Sequence, residues 1–372
     1  MQSFKDDFCL VPGSYLLSHS VGRPLKTAEQ VFAEQFFTPW QSSGVEPWQA
    51  WLKVIDLFCN NLAKLFNGRA EEFCPQVNLS SALTKLVMSL PQFETDKAVI
   101  LMSELDFPSM GFALKKALPS SCELRFIPKS VDLTDPEVWR SQIESDVDLV
   151  FVSHAYSNTG QQAPLSEIVN TAKSKNVLTL IDVAQSAGVV PLDLQALQPD
   201  FMIGSSVKWL CGGPGAAYLW VNSQHIEGCQ PKDVGWFSHE NPFEFDIHNF
   251  RYHPTGFKFW GGTPSIAPYV IAAHSIGYFA EIGSHKLREH NQWLIDVVAE
   301  QFETELVSPR LETKRSATLI LNFAGKQPQV LAALQQANVS VDLRSEGIRV
   351  SPHIYNDMAD IERLLSVIKG CR

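Results

Sequence analysis

Six short apolar runs, several of them separated by stretches of helical spacing, constrain this chain more than any other feature. They lie at 98–102, 123–127, 148–152, 177–181, 201–203 and 217–221. All six read as strands, and Leu178-Thr-Leu-Ile181 and Phe201-Met-Ile203 in particular suit strands buried on both faces of a sheet. Helical patterns between them, such as 165–174, turn that into an α/β alternation, which predicts a mostly parallel sheet with helices on both faces. Upstream, Trp51, Val54, Ile55, Phe58, Leu62 and Leu65 recur near helical spacing, and Asn67-Gly68 ends the pattern as a helix C-cap would. A helix over 49–66 therefore leads into the sheet.

Beyond the last run comes a Gly/Pro/aromatic-rich segment, 228–268, then a long helical pattern to about residue 305, then alternating strand and helix signals. A chain of 372 residues with 45% hydrophobic content has room for two cores. The expected division is a large unit over 46–260 and a smaller one built from 1–45 with 261–372. A net charge of −10 argues against a nucleic-acid partner. Seven scattered cysteines without a C-x-x-C pair fit a reducing compartment and neither a disulfide framework nor a metal site. No apolar run nears the roughly twenty residues of a membrane span. The start, Met1-Gln-Ser-Phe-Lys-Asp-Asp7, lacks a signal-peptide pattern, so no membrane partner and a cytoplasmic location are expected.

Two of the apolar runs carry charged residues at their far ends. Asp182 closes Leu178-Thr-Leu-Ile-Asp182, and Lys208 follows Phe201-Met-Ile-Gly-Ser-Ser-Val-Lys208. Singly, each reads as a solvated surface charge. Together, at the mouths of neighbouring parallel strands, they fall where an α/β sheet binds its ligands. An amine and a carboxylate so placed suit pyridoxal phosphate, which needs a Schiff-base lysine and an acid that keeps its ring nitrogen protonated.

The same stretch resembles the class V aminotransferase family of fold type I pyridoxal phosphate enzymes, and within it kynureninase and its relatives. The motifs appear in family order: Phe107-Pro-Ser109, Asn158-Thr-Gly-Gln161, Asp182-Val-Ala-Gln-Ser-Ala-Gly188, Lys208, Gly235-Trp-Phe-Ser-His239 and Ile348-Arg-Val-Ser-Pro-His-Ile-Tyr-Asn356. The resemblance covers most of the chain from about residue 71. It implies a large domain with a seven-stranded, mostly parallel sheet and a smaller α+β C-terminal domain.

Site roles follow from it residue by residue. Leu79 and Ser80, at the start of an apolar helical pattern with a serine N-cap, fall where relatives hold the cofactor phosphate. Phe107 falls where an aromatic stacks on the pyridine ring. Gln185 stands where a glutamine or histidine donates to the ring oxygen, and Ser205 and Ser206 lie near the phosphate. Arg349 matches the arginine that forks onto the substrate's α-carboxylate, although on a strand between Ile348 and Val350 it could instead face water. Trp236, His239 and Thr263 come from the segment that crosses a homodimer interface in relatives, with His239 a further substrate contact. One departure stands out: Val207 occupies the place of a tyrosine or histidine before the lysine.

These expectations point to an enzyme acting on an amino acid, either an aminotransferase or one with related chemistry at Cα or Cβ. A kynureninase-type hydrolase, a β-lyase and a non-catalytic pyridoxal phosphate protein are the alternatives. A cysteine desulfurase is disfavoured, because Asp342-Leu-Arg-Ser-Glu-Gly347 ahead of Arg349 holds no cysteine.

Overall fold

The computed structural model describes residues 4–94 and 97–371, so Met1, Gln2 and Ser3 of the start that lacks a signal-peptide pattern lie outside it. Seven strands form the main sheet: β1 (Phe73–Gln76), β2 (Val99–Ser103), β3 (Glu123–Ile127), β4 (Leu149–Ser153), β5 (Leu178–Asp182), β6 (Phe201–Ser205) and β7 (Ala217–Val221). Their order is β1-β7-β6-β5-β4-β2-β3, and β7 alone runs against the rest. The mostly parallel α/β sheet expected from the apolar runs is therefore present.

Alternation within those runs divides two cores between the sheet's faces. Val150, Val152, Ile181, Met202 and Tyr218 enter one, with α1 (Trp48–Phe66). Leu149, Phe151, Leu180, Phe201 and Ile203 enter the other, with α2 (Leu79–Val87) and α3 (Pro108–Ala117). A third helix between strands, α4 (Leu165–Ser174), spans the residues its pattern predicts. At the end of α1, Asn67 takes the left-handed conformation (φ 50°), as the Asn-Gly signal requires.

Three features differ from the sequence reading. The long helical pattern after residue 268 is two helices, α5 (Ala267–Ile282) and α6 (Ser284–Gln301), because Gly283 breaks it at φ 85°. The cap of α2 is Asn78, whose side chain accepts the Ser81 N–H at 2.8 Å, rather than a serine. Finally, β1 went unread as a strand; it is an edge strand, the position that tolerates Pro75.

The third core joins the two ends of the chain. It packs α6 and α7 (Met358–Gly370) against an antiparallel sheet of β8 (Leu319–Leu321), β9 (Asp342–Leu343) and β10 (Ile348–Val350). Residues Ser14–Tyr15 pair in parallel with Val339–Ser340, which ties the N-terminal segment to this unit. From there the segment runs toward the carboxyl ends of β5 and β6.

Candidate active site

Parallel β4, β5 and β6 end together, with Ser153 level with Asp182 and Asp182 level with Ile203. A cavity of about 210 Å³ opens there, as expected beyond the carboxyl ends of an α/β sheet. Asp182 and Lys208 both line it, the first from the last residue of β5, the second from the turn after β6. Leu79 and Ser80 line it from the start of α2, Phe107 from just before α3, Gln185 from the turn after β5 and Ser205 from the end of β6. Seven residues from four stretches of the sequence thus converge on one volume.

Burial and charge act on the central pair in opposite directions. Asp182 is only 6% exposed; burial raises its carboxyl, while the Ala184 N–H at 2.8 Å and Lys208 pull it back down. Burial lowers the Lys208 amine, Asp182 opposes that, and Arg349 adds to the lowering. A second buried acid, Asp106, is pushed up to about 7 by burial with Asp182 adding to it, against the hydrogen bonds from Ser103 and Ser153. Such shifts cluster where chemistry is done; Asp182 and Lys208 share the cavity, and Asp106 stands behind its wall at Ser153.

The chain's own groups fit pyridoxal phosphate. The N–H groups of Leu79 and Ser80 open α2 and have no carbonyl one turn back inside it, so they are available to an anion. Phe107 is 58% exposed at the cavity rim, a large aromatic face with room for a flat ring. Two buried polar atoms in the lining are without a partner: the Tyr156 hydroxyl and Gln185 Oε1. Gln185 Nε2 meanwhile donates to the His19 carbonyl at 3.2 Å. A buried polar group left unpaired is costly, which makes both atoms natural contacts for a polar ligand.

Other expected residues stand elsewhere. Ser206 donates to Ala216 O at 2.9 Å and so satisfies its own turn. Trp236 Nε1 donates to Thr263 Oγ1 at 3.3 Å, and neither residue lines the cavity. His239 is buried in its own loop, accepting the Asn241 N–H at 3.0 Å and donating to Asn249 O at 2.8 Å. Arg349 reaches the rim through Nη1, which donates to the carbonyl of Ser157, a lining residue, at 3.3 Å. Its Nε donates to Asp342 at 2.8 Å, and its Nη2 makes a second, short contact with the same carboxylate.

Three residues at this site escaped the sequence reading. His19, from the N-terminal segment, binds Asp342 at 2.9 Å across 323 positions of sequence. Tyr156 is 1% exposed at the cavity wall. Neither belongs to a spacing pattern that a single sequence displays. Asp342 lies in the stretch that lacks a cysteine, and its place opposite Arg349 on paired strands is visible only in the fold.

Residues 59–364 match the family model described as aminotransferase class-V. A kynureninase of Shouchella clausii (strain KSM-K16) is 28% identical, the alignment covering 98% of this chain and 90% of that protein. An uncharacterized aminotransferase of Bacillus subtilis (strain 168), YcbU, is 23% identical over 86% of this chain and 85% of its own length. Among solved structures, an apo cysteine desulfurase from Thermococcus onnurineus NA1 superposes with a TM-score of 0.88 at 19% identity, covering 100% of this chain and 98% of that one. That likeness speaks to the fold.

Proposed function

The chain belongs to the aminotransferase class-V family, and from that premise we propose that it is an enzyme acting on an amino acid through Lys208. Pyridoxal phosphate is its cofactor, and when bound it supplies an electron sink beside the substrate's α-carbon. The observation that carries the reading is the convergence of Asp182, Lys208, Phe107 and the start of α2 on one cavity.

Each residue has a role in this proposal. Asp182 holds a proton at the ring nitrogen. Lys208 anchors the cofactor and, with its pKa lowered by burial, moves a proton at the substrate's α-carbon. Leu79, Ser80 and Ser205 take the phosphate end, Phe107 covers one ring face, and Gln185 with Tyr156 supplies polar contacts at the ring's edge. Arg349 orients the substrate carboxylate at the Ser157 rim. His239, held in its own loop, would reach a substrate only across a dimer interface with Trp236 and Thr263. Supporting the proposed division at 46–260 is the seven-stranded sheet within it; helix α5 nonetheless packs into the large core. No described helix is long and apolar enough to cross a membrane, and the scattered cysteines support a cytoplasmic setting.

Aminotransferase-type chemistry asks only for Lys208 and Asp182 at the reacting centre. A kynureninase-type hydrolysis is the second reading, favoured by the Shouchella relative and by the Trp-Phe-Ser-His and Ser-Pro-His-Ile-Tyr-Asn segments. Val207, in place of the tyrosine before the lysine, weighs against it. Borohydride reduction of the holoprotein followed by peptide mapping tests the anchor; label on another lysine defeats the assignment. Incubation with amino acids and aryl-keto amino acids, with detection of keto acid, alanine, ammonia and sulfide, separates transamination from hydrolysis and β-elimination. A spectrum unmoved by any of them would indicate a non-catalytic binding protein.

A further inference from the structure

Arg349 is held by a hydrogen-bond chain whose direction is fixed throughout. The Asp342 carboxylate only accepts, so His19 Nε2, 2.9 Å away, must carry the proton. Burial lowers the His19 pKa and Asp342 only partly opposes it, so the ring is neutral and Nδ1 accepts from the Ser351 hydroxyl at 2.7 Å. With the Ser351 proton so used, the Thr318 hydroxyl donates to Ser351 Oγ at 2.8 Å. The Asp342 carboxyl would be raised by its burial, but Arg349 and His19 outweigh that and hold it well below the usual range. It is an ionised clamp.

The clamp decides which edge of the guanidinium a substrate can use. Asp342 takes the side edge, Nε with Nη2. The end edge, Nη1 with the second proton of Nη2, is left free of Asp342, and its Nη1 donates to the carbonyl of Ser157, which lines the cavity. Without the clamp, a long side chain would have to be ordered by each substrate that binds, and that ordering would weaken binding.

We propose that Asp342 and His19 are positioning residues that preset Arg349 for a substrate carboxylate. The inference rests on the reading of Arg349 as the carboxylate ligand and adds two residues from outside the cavity. Neither side chain lines the cavity, and His19 meets Gln185 only through its backbone carbonyl, which a side-chain substitution leaves in place, so both act on recognition of the carboxylate and not on retention of the cofactor.

The test uses the holoenzyme, titrated by visible absorbance with the amino acid of the common twenty that changes its spectrum most, and with that amino acid's decarboxylated amine. Asp342→Asn and His19→Leu are expected to weaken amino-acid binding about tenfold while leaving the amine and the cofactor affinity unchanged. His19→Gln keeps an N–H for Asp342 and should recover most of the loss. Equal or tighter binding of the amino acid by Asp342→Asn would overturn the proposal, as would parallel weakening of the amine in both His19 variants. Arg349→Lys separates the layers. If it too leaves the preference for acid over amine intact, or if no amino acid moves the spectrum, the underlying carboxylate reading has failed; if it abolishes that preference while the other variants do nothing, only this inference has.

Discussion

The backbone N–H of Gly22 donates to the carbonyl of Val207 at 2.9 Å, and a Cβ on Gly22 would stand 2.1 Å from the carbonyl oxygen of Lys208. An N-terminal segment, anchored by strand pairing to the C-terminal unit, thus lies directly against the turn that presents the lysine. Only a residue without a side chain fits that approach.

Gly22→Ala is therefore expected to shift the Lys208 turn. Overpacking of this kind costs about 1–3 kcal/mol, and the displaced lysine should weaken cofactor retention as well. Urea unfolding and cofactor titration of the apoprotein check both; unchanged values would mean that the turn yields freely.

Most of the sheet was legible because its central strands are buried on both faces and so are written as largely apolar runs, read to within about two residues at either end; the edge strands are less plainly written, β3 carrying two charges and β1 a proline. Asp182 and Lys208 were legible because strand ends in a parallel sheet have a known geometry. The N-terminal segment was not, since its contacts with Val207 and Asp342 are made by a backbone and a lone histidine far away in sequence. The break at Gly283 was lost because apolar residues at helical spacing resume beyond it, at Leu287, Leu294 and Ile295. Clamping of Arg349 by Asp342 needed the strand register, which a hairpin of irregular loop sequence does not announce.

Asp182→Asn should fold normally and lose activity by two or more orders of magnitude, because a neutral amide no longer favours a protonated ring nitrogen. Since burial already raises the Asp182 carboxyl, the apoprotein has little to lose from the amide. Circular dichroism and kcat together test this. Near wild-type turnover would remove Asp182 from the mechanism.

His353 predicts a pH dependence of stability. Its Nδ1 accepts the Ile354 N–H and its Nε2 donates to Trp209 O, each at 2.7 Å, so it is neutral in the fold. Burial lowers its pKa from 6.5 to about 4, the Trp209 carbonyl only partly opposing. Below pH 6.5 the unfolded chain takes up a proton that the native histidine refuses until about pH 4, so stability present above 6.5 is lost as pH falls across that window. The gap corresponds to about 3 kcal/mol. Asp106 works the other way, its raised carboxyl gaining stability as pH falls from 7. The comparison that isolates His353 is thus wild type against His353→Gln, whose unfolding free energy should decline less between pH 7 and 4.5. Parallel curves would refute it.

Phe107→Ala tests stacking. A side chain 58% exposed gives little to the core, so apoprotein stability should change by no more than about 1 kcal/mol. Cofactor affinity should fall roughly tenfold, about what one lost aromatic stack is worth. A large stability loss with intact cofactor binding would make Phe107 a packing residue.

A homodimer with shared sites is the last expectation. Trp236 and Thr263 bond to each other outside their own cavity, in a face where Trp236 packs against Trp48, Phe243 and Phe245. Phe245 is 79% and Ile247 91% exposed, and with Trp236 and Phe250 they line one surface hollow, a clustering of exposed apolar side chains that suits an interaction site. Two-fold closure is the commonest way such a face is covered in soluble assemblies. If the face meets a second copy and reaches its cofactor, Lys208→Ala subunits and Trp236→Ala subunits will each be inactive alone. Mixed after mild unfolding and refolding, they should regain up to about a quarter of wild-type activity per site, because a hybrid dimer holds one site with both halves intact. Sedimentation would show the dimer directly. A monomer with full activity at high dilution, or mixtures that stay inactive although hybrids form, would exclude the shared site.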